Sequence, residues 1–344
     1  MSKAESYMQR CLDLAALGQD SVSPNPMVGA LLVYQDRIIG EGYHERFGGK
    51  HAEVHALDQA LKKNDPETIR KSTLYVSLEP CAHQGKTPAC TERIIREGIP
   101  HVVIACTDPF PAVQGKGIEQ LKAAGLQVEV GVLEAKARFL NRRFFTRVEK
   151  QRPYIILKWA QTHNGYFAPL QGQQWISGAE SSMLNHRWRT QEDAILVGTN
   201  TVLTDNPRLN PRDWEGPAPI RLILDRNLVI PESALVFQGD QPSIIFTEKE
   251  KKGVGNLRYI SMESFDFYLA ESLAYQCYLL DIQSIIVEGG KKTLDLFLHA
   301  GIADEIRVIR SSDDWEAGIE APKIHRTPDY TTPLGKDTLE LYYM

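Results

Sequence analysis

The chain of 344 residues lacks several things that would have settled its class at once. No run of about 18 apolar residues occurs, the length a helix needs to span a bilayer. The opening stretch MSKAESYMQRCLDLAALGQD mixes charges of both signs and has no apolar signal-peptide core, so a cytoplasmic protein is expected. Cysteines are few and odd in number: Cys11, Cys81, Cys90, Cys106 and Cys277. Scattered in this way they read as thiols or metal ligands, not as a disulfide framework. Positive charge is not in excess. Net charge is −5, with 20 Lys+Arg against 18 Asp+Glu in residues 1–150 and 19 against 26 in residues 151–344. Neither half has the basic surplus that grips a nucleic-acid backbone. Residues 151–344 also contain no Gly-x-Gly-x-x-Gly, which excludes the usual dinucleotide fingerprint there.

What is present is an ordinary globular mixture, 42% hydrophobic and 24% charged, enough to fill a core in each of two domains. The first half alternates strands and helices. A helix is expected over 4–17, a hairpin over 28–34 and 37–44, and a helix over 51–63. Strands at 73–78, 101–106 and 127–132 then interleave with helices at 91–98, 117–125 and 134–150. Gln151-Arg152-Pro153 reads as a linker. A second series follows: strands at 153–160, 194–198, 220–225, 243–248, 284–290 and 304–309, with helices at 178–190, 264–276 and 291–300. Alternation of this kind gives a sheet covered by helices in each half, hence domains 1–150 and 151–344.

The chemistry of the first half concentrates in two places. His51 and Glu53 open a helix as His-x-Glu, and Pro80-Cys81 follows a strand while Cys90 precedes the next helix. One imidazole and two thiolates make three protein ligands for Zn²⁺ and leave a fourth position open. A carboxylate two residues from the histidine can move a proton between water and a leaving amine. The cysteine spacing is wider than in the usual Pro-Cys-x-x-Cys turn, and a structural zinc site is the alternative to a catalytic one. His55, four residues after His51, is assigned a supporting or packing role. Gly115-Lys116-Gly117 is either an anion seat at a helix start or a simple turn.

The stretches PNPMVGALLV (24–33), GEGYHERFGGKHAEVHAL (40–57), TLYVSLEPCAHQGKTPAC (73–90) and DPFPAVQGKG (108–117) resemble the pyrimidine deaminase of riboflavin biosynthesis. That resemblance implies a cytidine-deaminase-like three-layer α/β/α domain with one zinc ion on His51, Cys81 and Cys90. It makes Glu53 the proton donor and assigns Asn25, His44, His83 and Lys86 to a diaminopyrimidinone carrying a phosphoribosylamino group. Phe110 stands where the family often has Asn.

In the second half, Glu288-Gly289-Gly290 lies between a strand and a helix, where backbone N–H groups can approach a phosphate or simply turn the chain. KWAQTHNGY (158–166), QQWISG (173–178), HRWRTQEDAILVGTNTVLTDNPRLNPR (186–212), IRLILD (220–225) and IIVEGG (285–290) resemble the reductase domain of the same bifunctional enzyme. The resemblance implies a dihydrofolate-reductase-like α/β domain using NADPH. Cofactor contacts are then expected at Ala160, Trp175, Thr201, Asp205, Gly290, Lys291, Lys292, Thr293, Leu294, Asp295 and Leu296. Substrate contacts are expected at Gln173, Arg189, Leu209, Arg212 and Glu288. The arginines Arg189 and Arg212 suit a phosphate clamp, and Trp175 could equally be a core aromatic. The sequence departs from the family twice, at His163-Asn164-Gly165 in place of Leu-Asp-Gly and in RSSDDWEAGIEAP after residue 309. Small phosphoribosyl pyrimidines are the expected partners, with no nucleic acid or membrane, in a homo-oligomer, most simply a dimer.

Overall fold

A capping box opens the first helix, Lys3–Ala16 (α1): Ser2 Oγ accepts from Glu5 N, and Glu5 Oε2 accepts from Ser2 N at 2.7 Å. The computed structural model describes residues 2–82, 89–111, 113–172 and 174–344, and these form two compact units, Met1–Gln151 and Arg152–Met344. In the first unit α1 is followed by strands Gly29–Tyr34 (β1) and Arg37–Tyr43 (β2). Gln35 and Asp36 join them with φ of 46° and 62°, the left-handed pair that a two-residue hairpin turn requires. Helices Ala52–Leu61 (α2) and Pro66–Ile69 (α3) precede strand Thr73–Val76 (β3). Helix Cys90–Glu97 (α4), strand His101–Ile104 (β4), helix Lys116–Ala123 (α5) and strand Gln127–Val130 (β5) follow, and Glu134–Leu140 (α6) and Arg142–Lys150 (α7) close the unit.

The five strands lie in the order β2-β1-β3-β4-β5, antiparallel from β2 to β3 and parallel from β3 to β5. Period-two alternation assigns the faces. Ala30, Leu32, Leu74, Val76, Val102 and Ile104 pack with Ala56, Leu57 and Ile94, whereas Leu31, Val33, Tyr75 and Val103 pack with Met8, Cys11, Leu12 and Phe145. The result is three layers, α/β/α. Gly40 and Gly42 set the seating of α2 on β2, since a Cβ at either position would run into the backbone of α2 at Ala56 or Ala52.

The single helix expected over 134–150 is two. Asn141 interrupts it because its amide serves another chain segment: Oδ1 accepts Met27 N and Nδ2 donates to Met27 O, both at 2.8 Å. That long-range pairing outweighs the local helical preference and ties down the segment carrying Asn25.

The second unit contains strands Tyr154–Gln161 (β6) and Tyr166–Ala168 (β7), helix Ala179–Gln191 (α8), strand Ala194–Gly198 (β8) and helix Thr199–Asp205 (α9). Next come strands Ile220–Leu224 (β9), Ser243–Thr247 (β10) and Leu257–Ser261 (β11), helix Leu269–Leu279 (α10), strand Ser284–Val287 (β12) and helix Lys291–His299 (α11). Strands Glu305–Arg310 (β13), Ile319–Glu320 (β14), Tyr330–Leu334 (β15) and Asp337–Tyr343 (β16) complete it. Nine strands form one sheet, β11-β10-β9-β8-β12-β6-β13-β16-β15, parallel as far as β13 and antiparallel at its end. Its central strands are near-continuous apolar runs because both faces are covered: Ile155, Leu196 and Leu222 belong to one core, Ile156, Ile195 and Ile223 to the other. No helix among the described residues is long and apolar enough to cross a membrane.

The two departures noted in the sequence meet each other here. His163 N donates to Asp313 O, and its Nδ1 lies 3.2 Å from Asp314 Oδ1. Asn164 Nδ2 donates to Trp315 O at 2.7 Å, and Trp315 N donates back to Asn164 Oδ1 at 3.3 Å. This clasp fastens the β6–β7 turn to the segment leading into β14, which pairs with β7. Asn164→Ala removes both of its bonds to Trp315 while leaving those of His163, and is expected to cost about 1–2 kcal/mol, read as a lower urea midpoint of the second unit. An unchanged midpoint would mean that the clasp holds nothing.

Candidate functional site

The N-terminus of α2 places the first group. His51 is its N-cap, with extended backbone (φ −76°, ψ 162°), so its ring leaves the helix axis while Glu53 sits in the first turn. Cys81 follows β3 by way of Pro80, and Cys90 is the first residue of α4. Three distant segments thus converge: His51 Nδ1 lies 3.3 Å from Cys90 Sγ and 3.6 Å from Cys81 Sγ, and all three donor atoms fall within 4.8 Å of one another. Zn–N and Zn–S bonds in a tetrahedral site separate nitrogen from sulfur by about 3.6 Å. The donor set fits that ion in spacing and in kind.

Brought this close, the three donors shift one another's proton affinity. The Cys90 thiol, and then His51, pull the Cys81 thiol far below its ordinary value against the effect of burial, while Cys81 and burial push Cys90 up. Cys90 N also donates to Cys81 Sγ at 3.3 Å. The hydrogen bond to Cys81, opposed by burial, raises His51 to about 9. Glu53 is 3% exposed and is pushed up by burial. His44 Nδ1 faces Lys50 O at 3.0 Å and must carry the proton there, leaving Nε2 to accept from Asn25 Nδ2 at 3.1 Å. Burial, the largest influence on His44, lowers its pKa and favours the neutral ring. The His44 and His51 rings meet edge to face at 5.5 Å. Asn25 and His44 are therefore brought to the cluster, whereas His83 and Lys86 lie outside the described residues. His55 turns to Glu45, 3.9 Å away.

Gly115-Lys116-Gly117 does not present an open anion seat. The carboxylate of Glu79 already fills it, accepting from Gly115 N at 3.0 Å and Gly117 N at 2.9 Å. Glu79 gave no signal in the sequence beyond standing one residue before Pro80-Cys81.

The second unit holds a cleft of about 2020 Å³. It opens at the carboxyl ends of the adjacent parallel strands β9, β8 and β12, through Leu224-Asp225, Val197-Gly198 and Glu288-Gly289-Gly290. Ligands of parallel α/β sheets bind at that edge. Of the expected residues, Trp175, Thr201, Asp205, Gly290, Lys291, Lys292, Thr293, Asp295, Arg189, Leu209, Arg212 and Glu288 line it. Ala160 is outside the lining, Leu294 is fully buried in the core, and Leu296 packs against that core, as the period of α11 dictates. Gln173 is outside the described residues. Trp175 is 82% exposed, so it is no core aromatic.

Arg189 differs from expectation. Its guanidinium is already engaged by Glu288, with Nη2–Oε2 at 2.7 Å and Nε–Oε1 at 3.3 Å. Burial disfavours the Glu288 charge, but Arg189 and then Lys158 outweigh it and pull the carboxyl down to about 2. Burial in turn lowers Lys158, against the pull of Glu288. Arg208 and Arg212 also line the cleft, with Arg212 Nε 3.8 Å from Asp213 Oδ2. Sequence reasoning missed Asn185, whose amide bonds Glu288; its spacing of four from Arg189 on α8 was the available signal.

These two sites define a class: a metal-dependent deaminase unit followed by a dihydrofolate-reductase-like unit. Residues 1–106 match the cytidine and deoxycytidylate deaminase zinc-binding region, and residues 153–311 match the RibD C-terminal domain. Riboflavin biosynthesis protein RibD of Aquifex aeolicus is 43% identical over 312 residues, covering 88% of this chain and 85% of its own. That of Escherichia coli K12 is 36% identical over 321 residues, covering 88% and 86%. The chain belongs to the RibD family of riboflavin biosynthesis proteins. Among solved structures it is similar to a diaminohydroxyphosphoribosylaminopyrimidine deaminase/5-amino-6-(5-phosphoribosylamino)uracil reductase of Thermotoga maritima, with TM-score 0.89, 37% identity and 98% of each chain covered. It is also similar to Acinetobacter baumannii RibD, with TM-score 0.90, 29% identity and coverage of 99% and 98%.

Proposed function

We propose that residues 1–150 deaminate a diaminopyrimidinone bearing a phosphoribosylamino group and that residues 151–344 reduce the ribosyl group of the product to the ribityl form with NADPH. The observation that carries the first step is the convergence of His51, Cys81 and Cys90 beside a buried carboxylate that the three-donor set does not need. Zinc, when bound there, supplies hydroxide near neutral pH. Glu53 takes the proton that the attacking oxygen loses and delivers it to the departing amino group. The neutral His44, fixed by Lys50 O, and the Asn25 amide orient the pyrimidine by hydrogen bonds.

In the second step the coenzyme supplies the hydride. A cleft of about 2020 Å³ exceeds the roughly 300–1,000 Å³ of a single-ligand pocket and suits a dinucleotide and a nucleotide together. Gly290 and the first turn of α11 offer N–H groups and a helix dipole to a phosphate, with Lys292 beside them. Arg208 and Arg212 suit the substrate phosphate, while Glu288, held ionised by Arg189, fixes the polar end of the pyrimidine–ribose.

The test is incubation with the phosphoribosyl diaminopyrimidine, with and without NADPH, following ammonia and NADPH together. Ammonia release without NADPH, and NADPH oxidation only after deamination, are expected. Exhaustive chelation should stop ammonia release while NADPH oxidation on pre-deaminated substrate continues. Ammonia release insensitive to zinc removal would overturn the first assignment, and no NADPH consumption on the deaminated product would overturn the second. NADH matching NADPH in kcat/KM would remove the preference for the phosphorylated coenzyme.

A further inference from the structure

Cys81 and Cys90 are both tied to a third element, α5. Glu79, 4% exposed, lies just ahead of Pro80-Cys81 and accepts four backbone N–H groups. Gly117 N (2.9 Å) and Ile118 N (3.3 Å) reach Oε1, while Gly115 N (3.0 Å) and Asp108 N (3.2 Å) reach Oε2. Three of these belong to the N-terminal turn of α5. A Cβ at Gly117 would strike Pro80 O, so only glycine lets α5 lie this close to the turn that carries Cys81. The same helix reaches the other cysteine. Thr91, next to Cys90, donates from its backbone N to Cys81 O at 3.3 Å. Its hydroxyl lies 3.2 Å from Cys81 O and 2.6 Å from Gln120 Oε1, one turn further along α5.

We propose that Glu79 is a positioning residue for the metal centre: through α5 it braces Cys81 and Cys90 at ligand separation. The inference rests on reading His51, Cys81 and Cys90 as the zinc donors. A carboxylate is needed because all four partners are donors; an amide would set N–H against N–H at one of its two atoms. The brace orders the sulfurs before any ion arrives, so removing it lowers affinity for the metal and alters its coordination.

Glu79→Gln in the full-length chain keeps the side chain's shape. Zinc affinity, measured by competition with a chelator of known affinity, is expected to fall about 10- to 100-fold, the usual loss when a partner behind the ligands is removed. The thiolate-to-metal and d–d absorption bands of the Co²⁺-substituted protein should shift. Gln120→Ala, at a half-buried position, should weaken zinc binding in the same direction by a smaller factor; should Glu79→Gln fail to fold, this variant decides alone. Folded variants with the wild-type zinc Kd and Co²⁺ spectrum overturn the proposal. So does a lower thermal midpoint of the metal-free protein with Kd unchanged, which marks a purely structural role. Wild-type protein that binds no zinc would instead remove the underlying metal assignment.

Discussion

Glu53→Gln is expected to lower the rate of ammonia release by about 10²- to 10⁴-fold, the range that a positioned general acid–base contributes. Zinc content should be unchanged, because the three donors within 4.8 Å of one another do not include Glu53. The substitution keeps the side chain's volume in a site where only 3% of the residue is exposed, so the packing around the first turn of α2 is preserved. What disappears is a group able both to take a proton and to return it. NADPH oxidation on pre-deaminated substrate, proposed above for the other unit, should stay at the wild-type rate. Ammonia release within threefold of wild type would remove Glu53 from the mechanism. Loss of zinc together with activity would make it a ligand instead.

The second large effect is expected at the buried ion pair of the cleft. Glu288→Gln leaves the Arg189 guanidinium, whose side chain is 11% exposed, without its counter-charge. Stranding a buried charge in this way costs about 3–5 kcal/mol, and the reductase step should fall with it. All five tryptophans (Trp159, Trp175, Trp188, Trp214 and Trp315) lie beyond residue 151, so their fluorescence follows unfolding of the second unit alone. The pH dependence has a defined sign. Glu288 titrates at about 2 in the folded unit against an ordinary 4.5, so its contribution is fully present above pH 4.5 and is lost as pH falls towards 2. The Gln variant has nothing to titrate at that position and should lose less stability across that window. Replacing both partners with apolar residues (Arg189→Met with Glu288→Leu) should recover much of the stability without the reductase activity. Recovery of activity in that double variant would show that the pair serves packing only.

Both groups of candidate residues were legible because each announces itself locally. His51 and Glu53 share one helix start, Cys90 opens another with Cys81 nine residues before it, and Glu288-Gly289-Gly290 follows the apolar run Ile285-Ile286-Val287. The central strands of both sheets were legible for the same reason, their hydrophobic period being strong. What escaped is long-range or weakly patterned. The break at Asn141 depends on Met27, 114 residues away, and the seat at Gly115 and Gly117 is filled by Glu79, 36 and 38 residues earlier. β15 carries Pro333 on an exposed edge and has no apolar alternation, so neither it nor the closing antiparallel pair with β16 announced itself. Arg189 looked like a free cation because nothing in HRWRTQ indicates that Glu288 will stand opposite. His83 and Lys86, between the two candidate metal-ligating cysteines, fall outside the described residues.

The clasp between Asn164 and Trp315 makes two stretches of chain, about 150 positions apart, a single unit of exchange. Each oddity in isolation looks like drift from the family pattern, yet each supplies the other's hydrogen-bond partners. A chimera that restores Leu-Asp-Gly at residues 163–165 while keeping residues 310–322 would leave Trp315 O without its donor, because a carboxylate at 164 can only accept, and the reverse graft would remove the segment that brings a backbone carbonyl to the amide. Only the matched pair can be transplanted into a relative, and it should carry its own geometry of the cleft wall with it.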